Sequence, residues 1–493
     1  MAKYRILTIL VMSSMILASC ASETAELEED VTNVTTDAQI NDTLSDNTTE
    51  MEVIAPEIVD FGGEVINMVG FSIWGDHYLF SEELNGDILN DAIFERNSTI
   101  SDNYNVELNF TIYDSNAGKV RSDVQLSVSA QDGSVDVAFP ICSDAATLAI
   151  DGYLTDLYEI ESIDLSSPWW DKGSVNELSI DNRLYFAINS LNLLADNFTA
   201  AVFFNKDMIT DNKLENPYEL VDSGKWTWAK MYEMAKMVSS DIDGDGAMTD
   251  TDTYGIIASY NILADGVMNC GEPIISKDSE NLLTLAMDTE RAADVSEQLF
   301  NIFRDSQNVL LVDKYMGQYN DAWQDLMYPA FKNGRGLFVA RAYIQYVYYF
   351  RDSEVNYGIL PRPKYDESQS GYYSDLNYAW ANTVTIPKGT KDPEMLGLII
   401  EALACESLQK VTPANYDVSI VNKQLRDTDS ERMLDIIYSS RHYDWGQFTS
   451  LSDMKSRLIN MLKSDSYNFV SSYEADKGSA TAKIEKLIDE LRE

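Results

Sequence analysis

The sequence predicts an α/β fold made of doubly wound sheets. Strand-like and helix-like segments alternate from residue 65 onward, and the third strand is a short, nearly continuous apolar run typical of a buried parallel strand. This alternation is the pattern of parallel sheets covered by helices on both faces. The predicted segments are a strand at 65–71, a helix with Leu89, Ile93 and Ile100 at helical spacing, a strand at 106–113, a helix with Val120, Val124 and Val128, and the apolar strand at 135–139.

Length and charge limit the class of protein. The 493 residues, 45% of them apolar, suffice for two or three domains with sizeable cores. The formal net charge of −45 argues against binding to nucleic acid or to anionic lipid, because phosphate binding needs clustered Lys and Arg. Cys142, Cys270 and Cys405 are too widely spaced for a disulfide framework, so we expect them to be buried as small apolar side chains.

The N-terminus has the pattern of a signal peptide. Two basic residues precede the apolar run 6–18, which is too short to span a bilayer. Leu17-Ala18-Ser19-Cys20 resembles the bacterial lipobox, which implies a signal peptide at 1–19 and acylation of Cys20. The protein would then be held on the extracellular face of the cell membrane by its lipid anchor alone. The alternative is an ordinary secretory signal in which the cysteine is incidental.

Residues 20–60 are predicted to form an acidic tether. After Cys20 the segment is rich in Glu, Asp, Thr and Asn and contains no Lys or Arg. It buries too little apolar surface to offset the entropy of ordering, and its like charges repel one another. We therefore expect a disordered, extended tether ahead of the globular part.

Later segments follow the same α/β pattern. Strands are predicted at 184–188 and 199–204. A helix beginning at Trp228 has Thr227 as its N-cap, and Trp226 and Trp228 are expected to pack in the core. The chain is predicted to end in an amphipathic helix with Ile484, Leu487, Ile488 and Leu491 on one face.

Four short motifs in a fixed order resemble a known family. They are 203–207 (FFNKD), 331–338 (FKNGRGLF), 357–363 (YGILPRP) and 383–387 (TVTIP). Together they resemble the extracellular solute-binding proteins of ABC importers, in the maltose-binding-protein-like family 1. The resemblance implies a two-lobed, periplasmic-binding-protein-like fold of type II that captures a sugar or oligosaccharide between its lobes. It also implies hinge closure and delivery of the solute to ABC permease subunits.

The resemblance also implies where the lobes divide. Chain crossings are expected near Asn189 and Asn382, with a return near Lys332. The predicted lobes are lobe I at 61–189 plus 335–383 and lobe II at 190–334 plus 384–493.

The segment 241–252 (DIDGDGAMTDTD) has the spacing of a calcium-binding loop. The expected oxygen ligands are Asp241, Asp243, Asp245, the backbone of Ala247, Thr249 and Asp252. Position 12 is Asp where an EF-hand has Glu, which is similar to the loops of dockerins. Because these carboxylates repel one another without a cation, we expect a structural calcium ion that pins the exit of the Trp228 helix. The alternative is a solvated acidic turn.

Aromatic side chains stand beside polar ones at several loop positions. The C–H faces of pyranose rings pack on aromatic rings, while carboxylates and amides bind the hydroxyls. The residues expected to bind ligand are Trp74, Asp76, Tyr78, Arg341, Asn377, Trp380 and Trp445. Arg341 would bind ligand hydroxyls or close an inter-lobe ion pair. Trp169 and Trp170 are expected to pack instead.

Common enzyme signatures are missing from the sequence. His77 and His442 cannot form an HExxH site, and neither a GxSxG elbow nor a GxxxxGK loop occurs. We therefore expect a monomeric binding protein without catalytic residues. Two alternatives stay open: a surface glycosidase, since 81 acidic residues always include close pairs, and a receptor for a non-sugar solute such as a peptide.

Overall fold

The structure is a computed structural model that describes residues 54–73, 78–420 and 428–492. The predicted signal peptide at 1–19 and Cys20 lie outside the described residues, as does most of the tether. The strands are β1 (Glu64–Ser72), β2 (Val106–Asp114), β3 (Val137–Ala138), β4 (Ala200–Asn205), β5 (Tyr254–Ala258), β6 (Ile275–Lys277), β7 (Leu283–Leu285), β8 (Val309–Leu311), β9 (Gly336–Tyr343) and β10 (Tyr357–Leu360).

Helices occupy most of the remaining described chain. The α-helices are α1 (Ile88–Tyr104), α2 (Ala117–Ala130), α3 (Cys142–Ile150), α4 (Lys172–Leu178), α5 (Leu193–Asn197), α6 (Lys206–Asp211), α7 (Pro217–Asp222), α8 (Trp228–Lys236), α9 (Ile262–Asn269), α10 (Glu290–Phe303), α11 (Tyr328–Lys332), α12 (Tyr346–Phe350), α13 (Pro393–Glu406), α14 (Thr412–Ile420), α15 (Thr428–Ser439), α16 (Trp445–Phe448), α17 (Met454–Ser464) and α18 (Phe469–Arg492). Single turns of other helix types are Leu157–Glu159 and Val312–Tyr315 (3-10) and Trp323–Met327 and Ser407–Val411 (π). In the described part of the chain, no helix has both the length and the apolar character needed to cross a membrane.

The first lobe is built on a parallel sheet in the order β2-β1-β3. β1 pairs with β2 along its whole length, from Glu64 opposite Val106 to Ser72 opposite Asp114, which confirms the first two predicted strands. β3 is shorter than predicted, because only Val137 and Ala138 pair with β1. Helices α1 and α2 connect the strands, so the predicted strand-helix order is confirmed.

Local signals explain the bounds of α1. The Asp87 side chain accepts a hydrogen bond from the Asn90 backbone N–H at 2.9 Å and caps the first turn. Asn105 ends the helix in the left-handed conformation, with φ 49, and its N–H donates to the Ser101 carbonyl. This cap turns the chain directly into β2.

The second lobe contains a five-stranded sheet in the order β10-β4-β9-β5-β8. β4 pairs antiparallel with β9 and β10, and β5 pairs parallel with β8 and β9. β4 and β9 are buried along their whole lengths, so both read as continuous apolar runs. The strand predicted at 199–204 is confirmed as β4.

The grouping of segments into lobes differs from the expected one. β9 and β10, which the prediction placed with lobe I, pair with strands of lobe II. The reason is a tight reversal after α11, where Gly334 has φ 71 and the Arg335 N–H donates to the Ala330 carbonyl at 2.9 Å. The chain therefore re-enters the same sheet beside β5 instead of crossing to the other lobe.

The chain crosses between the lobes where the prediction placed two crossings, but the second runs in the opposite direction. We call residues 188–199 the first crossing and residues 376–383 the second crossing. Val384 pairs with Ala187, Thr385 pairs with Ala138, and α13 packs on α1, so the segment from Val384 to the end of α13 belongs to the first lobe. The chain then returns to the second lobe, where α15 packs on β10 and α17 packs on α9. The strand predicted at 184–188 forms only isolated pairs of this kind.

Several packing predictions are confirmed. Trp226 and Trp228 are fully buried, and the Thr227 hydroxyl accepts a hydrogen bond from the Lys230 N–H at 3.2 Å as the N-cap of α8. Cys142, Cys270 and Cys405 are buried and unpaired, as expected. The closing helix is α18, with Ile484 and Leu487 buried.

Candidate functional site

Aromatic side chains gather where the two crossings meet. Phe198 of the first crossing stacks on Trp380 of the second, with ring centroids 6.3 Å apart, and meets the edge of Tyr343 at 6.2 Å. The Asn377 backbone N–H donates to the Phe198 carbonyl at 2.9 Å. Two residues predicted to bind ligand, Asn377 and Trp380, therefore lie beside the end of β9.

Arg341 occupies the end of β9 next to this cluster. Its side chain is buried, and its Nε donates a hydrogen bond to Asp265 of α9 at 2.7 Å. The guanidinium also lies over two rings, 5.6 Å from the centroid of Trp323 and 5.4 Å from that of Tyr343. Both ends of the ion pair are in the second lobe, so Arg341 does not form the inter-lobe ion pair considered above. It remains placed beside the aromatic cluster.

The environment keeps Arg341 charged. Burial alone would lower its pKa, but the charge of Asp265 and the hydrogen bond to it help to raise the pKa above the ordinary value for arginine. Burial raises the pKa of the Tyr343 phenol, which therefore stays neutral. The result is a fixed positive charge between two aromatic faces, an arrangement suited to binding electronegative oxygen atoms.

Trp323 is a site residue that the sequence prediction missed. It begins the π-helical turn Trp323–Met327, and its buried Nε1 has no hydrogen-bond partner among the described residues. π-Helical turns often mark functional sites, and a buried donor without a partner is costly unless water or a ligand accepts from it. The available signal was a tryptophan between acidic residues shortly before the 331–338 motif.

The remaining predicted ligand residues have different surroundings. Trp74 and Asp76 lie outside the described residues and stay predictions. Tyr78 is 3% exposed and lies in the core of the first lobe. Trp445 is 2% exposed, because its ring packs against Phe186 and Phe448 at 5.7 and 5.4 Å. The Trp445 ring is thus covered by protein.

The acidic loop 241–252 brings three carboxylates together. Asp241, Asp243 and Asp252 each offer an oxygen atom, and these atoms all lie within 4.8 Å of one another. Asp241 accepts from the Gly244 and Gly246 N–H groups at 2.7 and 2.8 Å. The Asp245 N–H lowers the pKa of Asp243, but desolvation and the neighbouring carboxylates outweigh it and raise that pKa. These oxygen atoms fit a hard divalent cation.

Comparison with known proteins identifies the fold. No family model and no curated protein sequence matches the chain. Among solved structures, a sugar transporter from Rhizobium etli in an open conformation matches with TM-score 0.56 and 13% identity, over 85% of this chain and 99% of that one. A cyclic α-maltosyl-1,6-maltose binding protein from Arthrobacter globiformis gives TM-score 0.55 and 12% identity, over 86% and 100%.

A third structure is an ABC substrate-binding protein from Listeria monocytogenes in complex with cycloalternan. It matches with TM-score 0.52 and 14% identity, over 87% of this chain and 99% of that one. The fold is that of the ABC substrate-binding proteins. The predicted fold class, two α/β lobes of the periplasmic-binding-protein type, is therefore confirmed.

Charged side chains join the lobes of this substrate-binding-protein fold. Arg441 of the second lobe donates to Asp196 at 2.8 Å and lies 3.4 Å from Asp171 of the first lobe. His442 Nδ1 lies 2.8 Å from the Glu177 carboxylate. Burial lowers the pKa of His442, but Glu177 more than compensates and raises it above the ordinary value. Sequence reasoning missed these contacts, because their partners are distant in the chain.

Proposed function

We propose that this protein is a lipid-anchored solute-binding component of an ABC importer that captures a sugar or oligosaccharide between its lobes. One observation carries the proposal: the fold resembles, over 85% or more of this chain, solved structures that are named as sugar-binding or sugar-transport proteins or that hold a bound oligosaccharide. Hinge closure would trap the solute, and the closed form would deliver it to membrane permease subunits. No covalent step is involved.

The chemistry around Arg341 supports a polyhydroxylated ligand. Trp380 and Trp323 are each partly exposed and offer ring faces for the C–H surface of a sugar. Arg341 supplies hydrogen-bond donors, and its charge is already balanced by Asp265. A neutral ligand therefore fits this group better than an anion, which would need a cation of its own.

A thermal-shift screen against neutral mono- and oligosaccharides tests the proposal. A bound sugar should raise the melting temperature by mass action, with a stabilisation of about 2.7 kcal/mol at a ligand concentration of roughly 100 Kd. Trp380→Ala should weaken the shift, whereas Tyr158→Ala, at an exposed aromatic residue of the first lobe, should leave it unchanged.

Two results would contradict the proposal. One is an unchanged melting temperature and an unchanged radius of gyration across the whole panel. The other is release of cleavage products from a glycan, which would indicate a glycosidase.

We also propose that the loop 241–252 binds a structural calcium ion. Asp241, Asp243 and Asp252 would supply carboxylate oxygens, and Asp245, Thr249 and the Ala247 carbonyl could complete the set. The loop follows α8 and ends at β5, and the Arg335 guanidinium donates to the Asp250 carbonyl at 2.7 Å. An ion there would fix the connection between a buried helix and the central sheet of the second lobe.

Asp243→Asn should have opposite effects with and without calcium. In chelator the variant should melt at or above the wild-type temperature, because one of three repelling carboxylates is gone. In about 10 mM calcium, well above the roughly 10⁻⁴–10⁻³ M affinity of weak extracellular sites, it should lack the stabilisation seen in wild type. Asp211→Asn, an exposed control in the same lobe, should respond to calcium like wild type. Equal melting temperatures of the wild type in chelator and in calcium would contradict a calcium site in this loop.

The membrane anchor is proposed at Cys20, on the lipobox resemblance of Leu17-Ala18-Ser19-Cys20. Acylation there would keep the receptor close to its permease while the acidic segment up to residue 60 leaves it free to close. Partition of the mature protein into a detergent phase, lost in Cys20→Ser, would support the anchor, and equal partition of both would contradict it.

A further inference from the structure

A buried carboxyl group in the first lobe binds two neighbouring tryptophans. Glu401 of α13 is 2% exposed. Its Oε2 accepts a hydrogen bond from Trp169 Nε1 at 2.9 Å, and its Oε1 accepts one from Trp170 Nε1 at 2.6 Å. An ionised carboxylate accepts at both oxygens, whereas a protonated one presents a hydroxyl donor on one side. Both indoles therefore donate more strongly to the ionised form.

The same two tryptophans hold the start of the first crossing. The Trp169 carbonyl accepts hydrogen bonds from the Ser190 N–H at 2.9 Å and from the Ser190 hydroxyl at 3.3 Å. Trp170 forms an antiparallel pair with Asn189, and the next N–H, that of Asp171, donates to the Ile188 carbonyl at 2.9 Å. A shift of either indole would therefore disturb the backbone hydrogen bonds that Trp169 and its neighbours make with residues 188–190.

The Glu401 carboxyl group titrates near neutral pH. Burial raises its pKa to about 7, against the lowering effect of the two indoles and of the Asp164 N–H. Among the described residues, the titratable groups that act on it are Asp164, whose charge raises the pKa further, and Cys405 of the same helix. Its hydrogen-bond partners within the described chain include no cation. The two indole N–H donors are therefore the main groups that stabilise the ionised carboxylate against the cost of burial.

We propose that Glu401 is a positioning residue for the first crossing: its ionised carboxylate fixes both indoles and through them residues 188–190, and protonation loosens that contact. An effect of this loosening on lobe closure and on ligand affinity rests on the proposed function. The contact itself does not, because it is made without ligand.

The ionisation of Glu401 should also change the stability of the protein with pH, and the direction of that change follows from the pKa. A pKa raised on folding means that the folded state binds the proton more tightly than the unfolded chain. The contribution of Glu401 to stability is full below its ordinary pKa of 4.5 and is lost as pH rises through about 7. Glu401→Gln should remove this part of the pH dependence of the melting temperature.

The decisive experiment uses the ligand-free protein between pH 5.5 and 8.5. Tryptophan emission should change with a midpoint near 7. Hydrogen exchange at the Ser190 N–H, which donates to the Trp169 carbonyl, should be roughly tenfold faster at low pH after correction for the intrinsic effect of pH, the change expected from losing one hydrogen bond to a charged group. Glu401→Gln, which also presents a donor to one indole, should resemble low-pH wild type at every pH.

Two further variants keep the test decisive. Glu406→Gln, a control on the same helix whose side chain pairs with Lys410, should titrate like wild type. Trp170→Phe removes one donor to the carboxylate and should raise the midpoint, which tests the contact even where Glu401→Gln fails to fold. Absence of any emission change would overturn the proposal, and so would an emission change with constant exchange at the Ser190 N–H. Neither outcome depends on whether the protein binds sugar.

Discussion

Replacing Trp445 with alanine is expected to lower the free energy of unfolding by about 3–5 kcal/mol, the usual cost of deleting a buried tryptophan side chain. The ring is 2% exposed and packs on Phe186 of the first lobe and Phe448 of the second. Its Nε1 donates to the Glu177 carbonyl at 3.2 Å. Truncation would therefore open a cavity at the lobe junction and leave a carbonyl without its donor.

Chemical denaturation followed by two independent probes would measure this loss and check that the lobes unfold together. Trp445→Phe, which keeps a ring but not the donor, should cost less than Trp445→Ala. Trp380→Ala should also cost less, because Trp380 is only partly buried. If Trp445→Ala were as stable as wild type and instead lost its response to sugar, Trp445 would be a ligand platform, as the sequence alone predicts.

The elements of the fold could be predicted where one local pattern decided them. The strands at 65–71 and 106–113 are apolar or alternating runs, and the α8 cap depends on Thr227 alone. The lobe grouping could not be predicted in this way, because β9 reads as a buried strand whichever sheet it joins. The reversal at Gly334 decides which sheet β9 joins, and the φ of 71 at Gly334 is a property of the folded backbone.

The residues of the candidate site also fall into those that the sequence indicates and those that it does not. The positions of Arg341 and Trp380 follow from strand ends and crossings, which the sequence indicates. The partners Asp265 and Trp323 come from segments distant in the chain, so only packing reveals them. Trp445 is predicted as a ligand residue because its neighbours His442 and Asp444 are polar. In the structure these two side chains contact Glu177 and the Ile275 N–H instead, and the Trp445 ring is buried.

Asp265→Ala is expected to cost about 3–5 kcal/mol of stability, because it leaves the buried Arg341 cation without its anion. The two groups lie 2.7 Å apart, with side chains only 9% and 6% exposed. Arg341→Met should also be destabilising, because it leaves the buried Asp265 carboxylate without its cation. The double variant Arg341→Met/Asp265→Leu should recover much of the loss, because two well-packed apolar side chains often replace a buried ion pair without penalty.

A double-mutant cycle by chemical denaturation would measure the coupling between Arg341 and Asp265. The surface pair of Arg304 and Asp465, with side chains 45% and 62% exposed, is the matched control, and breaking it should cost no more than about 1 kcal/mol. Equal costs for the buried and surface pairs would contradict the geometry described for Arg341. The recovered double variant also separates stability from binding, because a folded protein without this guanidinium should lose the thermal shift with sugar.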